Sequence, residues 1–246
     1  LSLDGRLLHP QIDGQCASWS TALDRVARAF ADTIAEHGPD SVAFYVSGQC
    51  LTEDYYVANK LMKGFIGSGN IDTNSRLCMA SSVAGHRRAF GSDTVPGNYE
   101  DLEEADLIVL AGSNLSWCHP VLFQRIMAAK DKRPEMKIVT IDPRRTVTSE
   151  AADMHLGLTP DGDVALFSGL LAWLKKHGKI DEAYIVAHTN GFKAALAASL
   201  NSLTDIAAAT GLSEAELQSY YTLFAATEKT VTVYSQGVNQ SASGTD

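Results

Sequence analysis

Four short apolar runs constrain this chain most: Ser41-Val42-Ala43-Phe44-Tyr45-Val46, Leu107-Ile108-Val109-Leu110, Lys137-Ile138-Val139-Thr140-Ile141 and Val231-Thr232-Val233-Tyr234. None alternates cleanly between apolar and polar residues. Each stops at a small or turn-forming polar loop: Ser47-Gly48-Gln49, Gly112-Ser113-Asn114, Asp142-Pro143-Arg144 and Gln236-Gly237. Strands of this kind are buried on both faces, which requires a parallel sheet covered by helices.

The intervening segments supply those helices. Trp19, Leu23, Val26, Ala27, Phe30 and Ile34 recur at helical spacing up to His37, and Gly38-Pro39 ends the pattern. Helical periodicity returns over Thr52–Ile66, Ser82–Phe90, Pro120–Lys130 and Gly162–Lys176, the last followed by Gly178. Ser213 and Glu216 form a capping box opening a helix that runs to Thr227. The predicted fold class is α/β, with Rossmann-like, mainly parallel sheets flanked by helices. Residues 1–18 read as a leading segment without periodicity. Residues 19–246 read as one α/β region, divisible into two lobes of about 19–100 and 101–246.

A net charge of −9 argues against a general nucleic-acid or anionic-membrane binder. The four cysteines, Cys16, Cys50, Cys78 and Cys118, are widely spaced and form no C-x-x-C. That spacing disfavours a disulfide framework, a structural zinc site or an iron–sulfur cluster within this chain. Scattered thiols suit a reducing compartment, so a cytoplasmic location is expected. No apolar run approaches the length that spans a bilayer, and no secretory signal is recognisable. The chain begins at Leu1 without methionine and stops soon after a loop-like stretch, so it reads as a piece of a longer protein.

In an open parallel sheet the carboxyl ends of the strands share an edge where ligands bind. Glycine lets the backbone approach a phosphate, and a following helix start offers N–H donors. The four loops therefore suit a nucleotide-shaped ligand, although ordinary β–α turns carry the same residues. Neither a G-x-G-x-x-G fingerprint nor a P-loop is present. Cys78 stands apart from these loops. It lies between the polar approach Gly67–Asn74 and a run of small residues that can open a helix, with Arg76 and His86-Arg87-Arg88 adding positive charge. Such a setting favours a thiolate, the form needed by a nucleophile or a soft metal ligand. A small buried apolar residue is the other reading of a lone cysteine.

The wording of this stretch carries a resemblance. Asn74-Ser75-Arg76-Leu77-Cys78-Met79-Ala80-Ser81-Ser82, continuing to Arg88-Ala89-Phe90-Gly91-Ser92-Asp93, resembles the segment bearing the molybdenum-ligating cysteine of molybdopterin-dependent oxidoreductases. The likeness is strongest to the catalytic subunits of bacterial assimilatory nitrate reductases. The resemblance implies that Cys78 is the metal ligand and catalytic residue, with Asn74 at the metal site and Gln49 near the pterin. It assigns Gly112, Ser113 and Asn114, followed by His119-Pro120, to a cofactor loop, and Asp142 and Arg144 to the nucleotide end. Asp163, closing Pro160-Asp161-Gly162-Asp163, is similar to the residue that pairs with guanine, and Gln236 and Gln240 look like residues close to the pterin. Chemistry agrees with these roles: a carboxylate can accept two hydrogen bonds from guanine, and Arg144 and Arg145 offer fork-shaped charge to phosphate.

The implied cofactor is molybdenum bis(molybdopterin guanine dinucleotide), with a 4Fe–4S cluster only in an N-terminal domain that this chain lacks. The implied reaction reduces nitrate to nitrite by oxygen-atom transfer, with electrons from a donor protein or reductase subunit. Alternatives are a periplasmic nitrate reductase, a formate dehydrogenase, a non-catalytic electron-transfer or scaffold subunit, or a plain nucleotide-binding domain. Without the flanking domains, the chain alone is expected to be inactive, to hold cofactor weakly at best, and to expose apolar surface. His86-Arg87-Arg88 could line an anion path or simply be a solvated basic face. His119 reads as structural, Cys50 and Cys118 as packing residues, and His155, His177 and His188 receive no role.

Overall fold

Residues 4–199 and 202–246 are described by the computed structural model, with Ser75 and Arg76 described by their backbone alone. The charge assigned to Arg76 therefore lies outside the described side chains. Two compact units divide the chain between Leu77 and Cys78, rather than near residue 100. The physical reason is that the helix after Cys78 is hydrogen-bonded to the chain's C-terminal region, as described below.

In the first unit, a two-residue hairpin, β1 (Gln11–Ile12) and β2 (Gln15–Cys16), occupies the leading segment that showed no periodicity. Helix α1 (Trp19–His37) follows, capped by Ser18, whose Oγ accepts from Thr21 N–H. Its apolar positions form the predicted stripe, yet Trp19, Leu23 and Val26 are exposed. Strand β3 (Phe44–Val46) leads into α2 (Thr52–Asn59), which continues as a π-helix over Lys60–Ile66 and stops at the left-handed Gly67. Strand β4 (Ile71–Thr73) then pairs with β3 in parallel, Val46 opposite Thr73. That stretch reads as turn-forming in sequence; register with β3 overrides its polar composition. Helix α3 (Ser75–Cys78) is a single turn.

The second unit opens with α4 (Ala80–Phe90), ended by the left-handed Gly91, and α5 (Asp101–Glu104). Strand β5 (Leu107–Ala111) is followed by α6 (Leu115–Cys118) and α7 (Pro120–Lys132), and β6 (Lys137–Ile141) by α8 (Val147–Glu150). Strand β7 (Met154–Leu156) precedes the long α9 (Asp163–Lys176) and three further helices, α10 (Glu182–His188), α11 (Phe192–Ala198) and α12 (Leu203–Thr210). The predicted capping box opens α13 (Glu214–Ala226), with Ser213 and Glu216 bonded reciprocally. Strand β8 (Thr230–Tyr234) and the short α14 (Gln236–Asn239) complete the unit.

These strands form one parallel sheet in the order β7-β6-β5-β8. Alternate residues of β5 serve two cores. Leu107, Val109 and Ala111 pack with Leu166, Leu170, Ile206, Leu217, Tyr220 and Tyr221 on the face covered by α9, α12 and α13. Ile108 and Leu110 pack with Leu115, Ile126 and Met136 on the face covered by α7. Both faces of β5 and β6 are thus buried, as strands lacking alternation demand; β8, at the sheet edge, exposes Thr232 and Tyr234, and β3 exposes Tyr45, so these two runs are covered less than their sequence predicts. Each fully buried Leu or Ile contributes about 1.5–3 kcal/mol, so the sheet's carboxyl edge is rigidly placed.

Candidate active site at the carboxyl edge of the sheet

Strand order reverses at β5, with β6 and β7 to one side and β8 to the other. Such a switch point opens a crevice beyond the strand ends. Here the two flanking loops touch. Gly237 N–H donates to Gly112 O at 3.0 Å, Gly112 N–H donates to Ile141 O at 2.8 Å, and Ser235 N–H donates to Ala111 O at 3.1 Å. Gly112 has φ +55°, and a Cβ there would lie 2.7 Å from Gly237 Cα; a Cβ on Gly237 would lie 2.5 Å from Gly112 Cα. Only two glycines permit this approach. Beside them Ser113 is 4% exposed, and its Oγ has no hydrogen-bond partner among the described residues. Asn114 Oδ1 accepts from Thr148 Oγ1 at 2.8 Å, so this side chain braces α8 against the loop.

At the end of β6, Asp142 Oδ1 accepts Arg144 N–H at 2.8 Å, a turn that leaves the Arg144 and Arg145 side chains exposed. Asp163 is the first residue of α9 and only 9% exposed. Burial pushes its carboxyl above the usual carboxylate range, with nearby Asp161 and Asp142 adding to the rise and its own N–H opposing it. No lysine or arginine pairs with it among the described residues. The neighbouring Asp161 holds a left-handed backbone, φ 66°, and its Oδ1 accepts Ala242 N–H at 2.7 Å. His155, given no role in sequence, shares this corner: its Nδ1 lies 3.0 Å from Thr140 Oγ1. Burial foremost, then the Arg145 charge, holds its imidazole below the usual range.

Cys78 closes α3, with Met79 alone between it and the start of α4, and is half-buried. Two carboxamides reach its sulfur, Gln236 Nε2 at 3.5 Å and Gln240 Nε2 at 3.4 Å. They stand four residues apart, on one turn of α14 and its cap, and so share a face. Asn239, between them and 4% exposed, accepts from Ser82 N–H at 2.8 Å and Ser82 Oγ at 2.6 Å, and donates to Cys78 O and, at 3.0 Å, to Gln236 Oε1. Of the basic trio after Cys78, His86 Nε2 lies 2.9 Å from Tyr234 Oη, and Arg88 pairs with Asp246 at 2.7 Å. Arg87 is exposed. Cys118 is exposed rather than packed.

In the first unit, Asn74 Oδ1 accepts Gly48 N–H, fastening the loop after β3 to the end of β4. Tyr55 Oη donates to Ser47 O at 2.7 Å and accepts from Cys50 N–H at 3.1 Å. Gln49 is exposed on this loop. Because β3 and β4 form a sheet of their own, the Ser47–Gln49 loop does not belong to the edge shared by the other three strand ends. Within the second unit, Cys78 meets Gln236 and Gln240, and Gly112 meets the same loop. Asn239, Ser82 and His155 are polar residues to which the sequence reading gave no role of their own. The spacing Gln236, Asn239, Gln240 was the available signal for the first, since three carboxamides on one helical turn share a face.

A family model described as molybdopterin oxidoreductase matches residues 6–246. The chain is 52% identical over 244 residues to a nitrate reductase of Shewanella frigidimarina, covering 98% of this chain and 26% of that protein. It is 49% identical over 247 residues to a nitrate reductase of Klebsiella oxytoca, covering 100% of this chain and 28% of the relative. The chain thus spans just over a quarter of these relatives' length. In fold it is similar to acetylene hydratase from Pelobacter acetylenicus, with TM-score 0.62 and 24% identity over 92% of this chain and 30% of that one.

Proposed function

The chain belongs to the molybdopterin oxidoreductase family, and from that premise we propose that its full-length protein is a molybdenum enzyme reducing nitrate to nitrite. The residues present fit such a cofactor. Among the described residues, Ser113 offers a buried hydroxyl without a partner and Asp163 a buried carboxylate without a cation. Cys78 supplies the soft sulfur a molybdenum ion takes, with amide donors already turned toward it. When bound, molybdenum supplies the two-electron redox chemistry that removes an oxygen atom from nitrate.

The roles of the chain's own residues follow. Cys78 holds the metal, and Gln236 and Gln240 donate N–H to its sulfur. Gly112 and Gly237 bring two strand-end loops together, so that Ser113 and the backbone line the pterin. Asp163 accepts from the guanine N1–H and amino group, and burial sharpens its preference for a ligand that donates twice. Arg144 meets phosphate from the turn fixed by Asp142. Gln49 and Asn74 contribute from the loop that Asn74 fastens. The cofactor form is the bis(guanine dinucleotide), a 4Fe–4S cluster and an electron-donor protein complete the enzyme, and the location is cytoplasmic. Four free thiols support the last point. No helix among the described residues is long and apolar enough to cross a membrane.

The observation that carries this reading is the pair of amide donors on Cys78 Sγ. Its test is the full-length protein, purified anaerobically, as wild type and Cys78→Ala. Molybdenum content, pterin content and nitrate reduction with an artificial electron donor are measured. The expected result is a molybdenum-loaded wild type whose activity disappears on substitution while most pterin is retained. A wild type without molybdenum overturns the cofactor assignment. A loaded wild type that ignores nitrate overturns the substrate alone.

A further inference from the structure

Of the three carboxamides around Cys78, two, Asn239 and Gln236, have their orientation fixed by partners whose own roles admit no exchange. Ser82 N–H can only donate and Cys78 C=O can only accept, so Asn239 must direct Oδ1 at the first and Nδ2 at the second. Nδ2 then meets Gln236 at 3.0 Å, which obliges Gln236 to present Oε1 to Asn239 and Nε2 to the cysteine sulfur. A buried side chain therefore sets which end of a second side chain faces the sulfur.

We propose that Asn239 is a positioning residue for the Cys78 ligand: it clamps the cysteine's own carbonyl to α14 and locks Gln236 with its N–H toward Sγ. This rests on the reading that Cys78 holds molybdenum. Amide donors draw electron density from a ligating sulfur and so set the electronics of the ion behind it. Asn239 acts at one remove, through Gln236 and the Cys78 backbone, and touches no substrate. Rotation of the Gln236 amide would replace a donor on the sulfur with a lone-pair-bearing oxygen.

Asn239→Asp in the full-length protein keeps both acceptor bonds from Ser82 and abolishes both donor bonds. The expected result is near-normal molybdenum content, an altered electron paramagnetic resonance spectrum of the molybdenum centre, and kcat lowered roughly 10–100-fold, the usual effect of disturbing a ligand's partner. KM for nitrate should stay within about twofold, because no interaction with free substrate is removed. Gln236→Glu, which deletes the donor itself, should reproduce the altered spectrum. Wild-type spectrum and kcat in both variants overturn the proposal. It is also overturned if Asn239→Asp loses metal and melts early while Gln236→Glu behaves as wild type, since Asn239 would then be structural only. Cys78→Ala run alongside separates the two readings. An inactive Cys78→Ala with a normal Asn239→Asp rejects the positioning role alone, whereas an active, molybdenum-loaded Cys78→Ala rejects the ligand assignment beneath it.

Discussion

Replacing Gly112 by alanine combines two costs that other glycines of the same unit carry singly. The first is backbone: Gly112 sits at φ +55°, where an L side chain costs about 1–2 kcal/mol. The second is overlap: the new methyl would stand 2.7 Å from Gly237 Cα and Val238 N, atoms of a loop pinned by strand pairing, and overpacking of this kind costs roughly 1–3 kcal/mol. Gly91, with φ +80° and nothing within 4 Å of the point a Cβ would occupy, carries only the first cost. Gly237, whose backbone is not left-handed, carries only the second, at 2.5 Å from Gly112 Cα. Gly112→Ala should therefore lose roughly 2–5 kcal/mol, near the sum of the losses from Gly91→Ala and Gly237→Ala. Denaturant midpoints of the three full-length variants, followed alongside pterin content, test this. Gly112→Ala should rank lowest in both, and Gly91→Ala should keep its pterin. A Gly112→Ala protein as stable as Gly91→Ala would refute the claim that the two loops are in backbone contact.

Asp163→Asn should raise the thermal midpoint at neutral pH while lowering retention of a guanine-bearing cofactor. The native carboxyl lies above its unfolded value, so the native state binds more protons and stability falls as pH rises through that window. The variant's advantage should vanish below about pH 4, where the unfolded carboxyl is also protonated; a pH series of melts decides it. Tyr221 and Tyr220 make a matched pair: Tyr221 Oη donates to Leu166 O at 2.7 Å, whereas Tyr220 Oη has no partner among the described residues. Tyr221→Phe should cost about 1 kcal/mol and Tyr220→Phe close to nothing, read as denaturant midpoints; the reverse order would reject the hydrogen-bond assignment.

Much of the fold is legible in local pattern. The central strands β5 and β6, the Ser213–Glu216 cap, Pro120 at the start of α7 and the Asp142 turn depend on neighbours within a few residues, and sequence carries such information directly. Strand β4 and the edge strand β7 escape because their polar or short sequences are held by register with β3 and β6. The same divide runs through the site. Cys78, Gln236, Gln240 and Asp163 were singled out from the motifs they stand in. The spacing to Gln236 and Gln240 places Asn239 on their face, but its contacts were not legible, because its partners Ser82 and Cys78 lie more than 150 residues away.

By itself, the sequence determined the α/β class, the placement of loops at strand ends and the thiol, carboxamide and carboxylate side chains available there, all consequences of periodicity and side-chain chemistry. Tertiary structure alone decided which of them meet. The reversal of strand order at β5 brings Gly112 against Gly237, and the docking of α14 on the start of α4 turns two amide donors toward one sulfur. Both depend on where distant segments are packed, which hydrogen-bond partners and buried area settle only once the chain is folded.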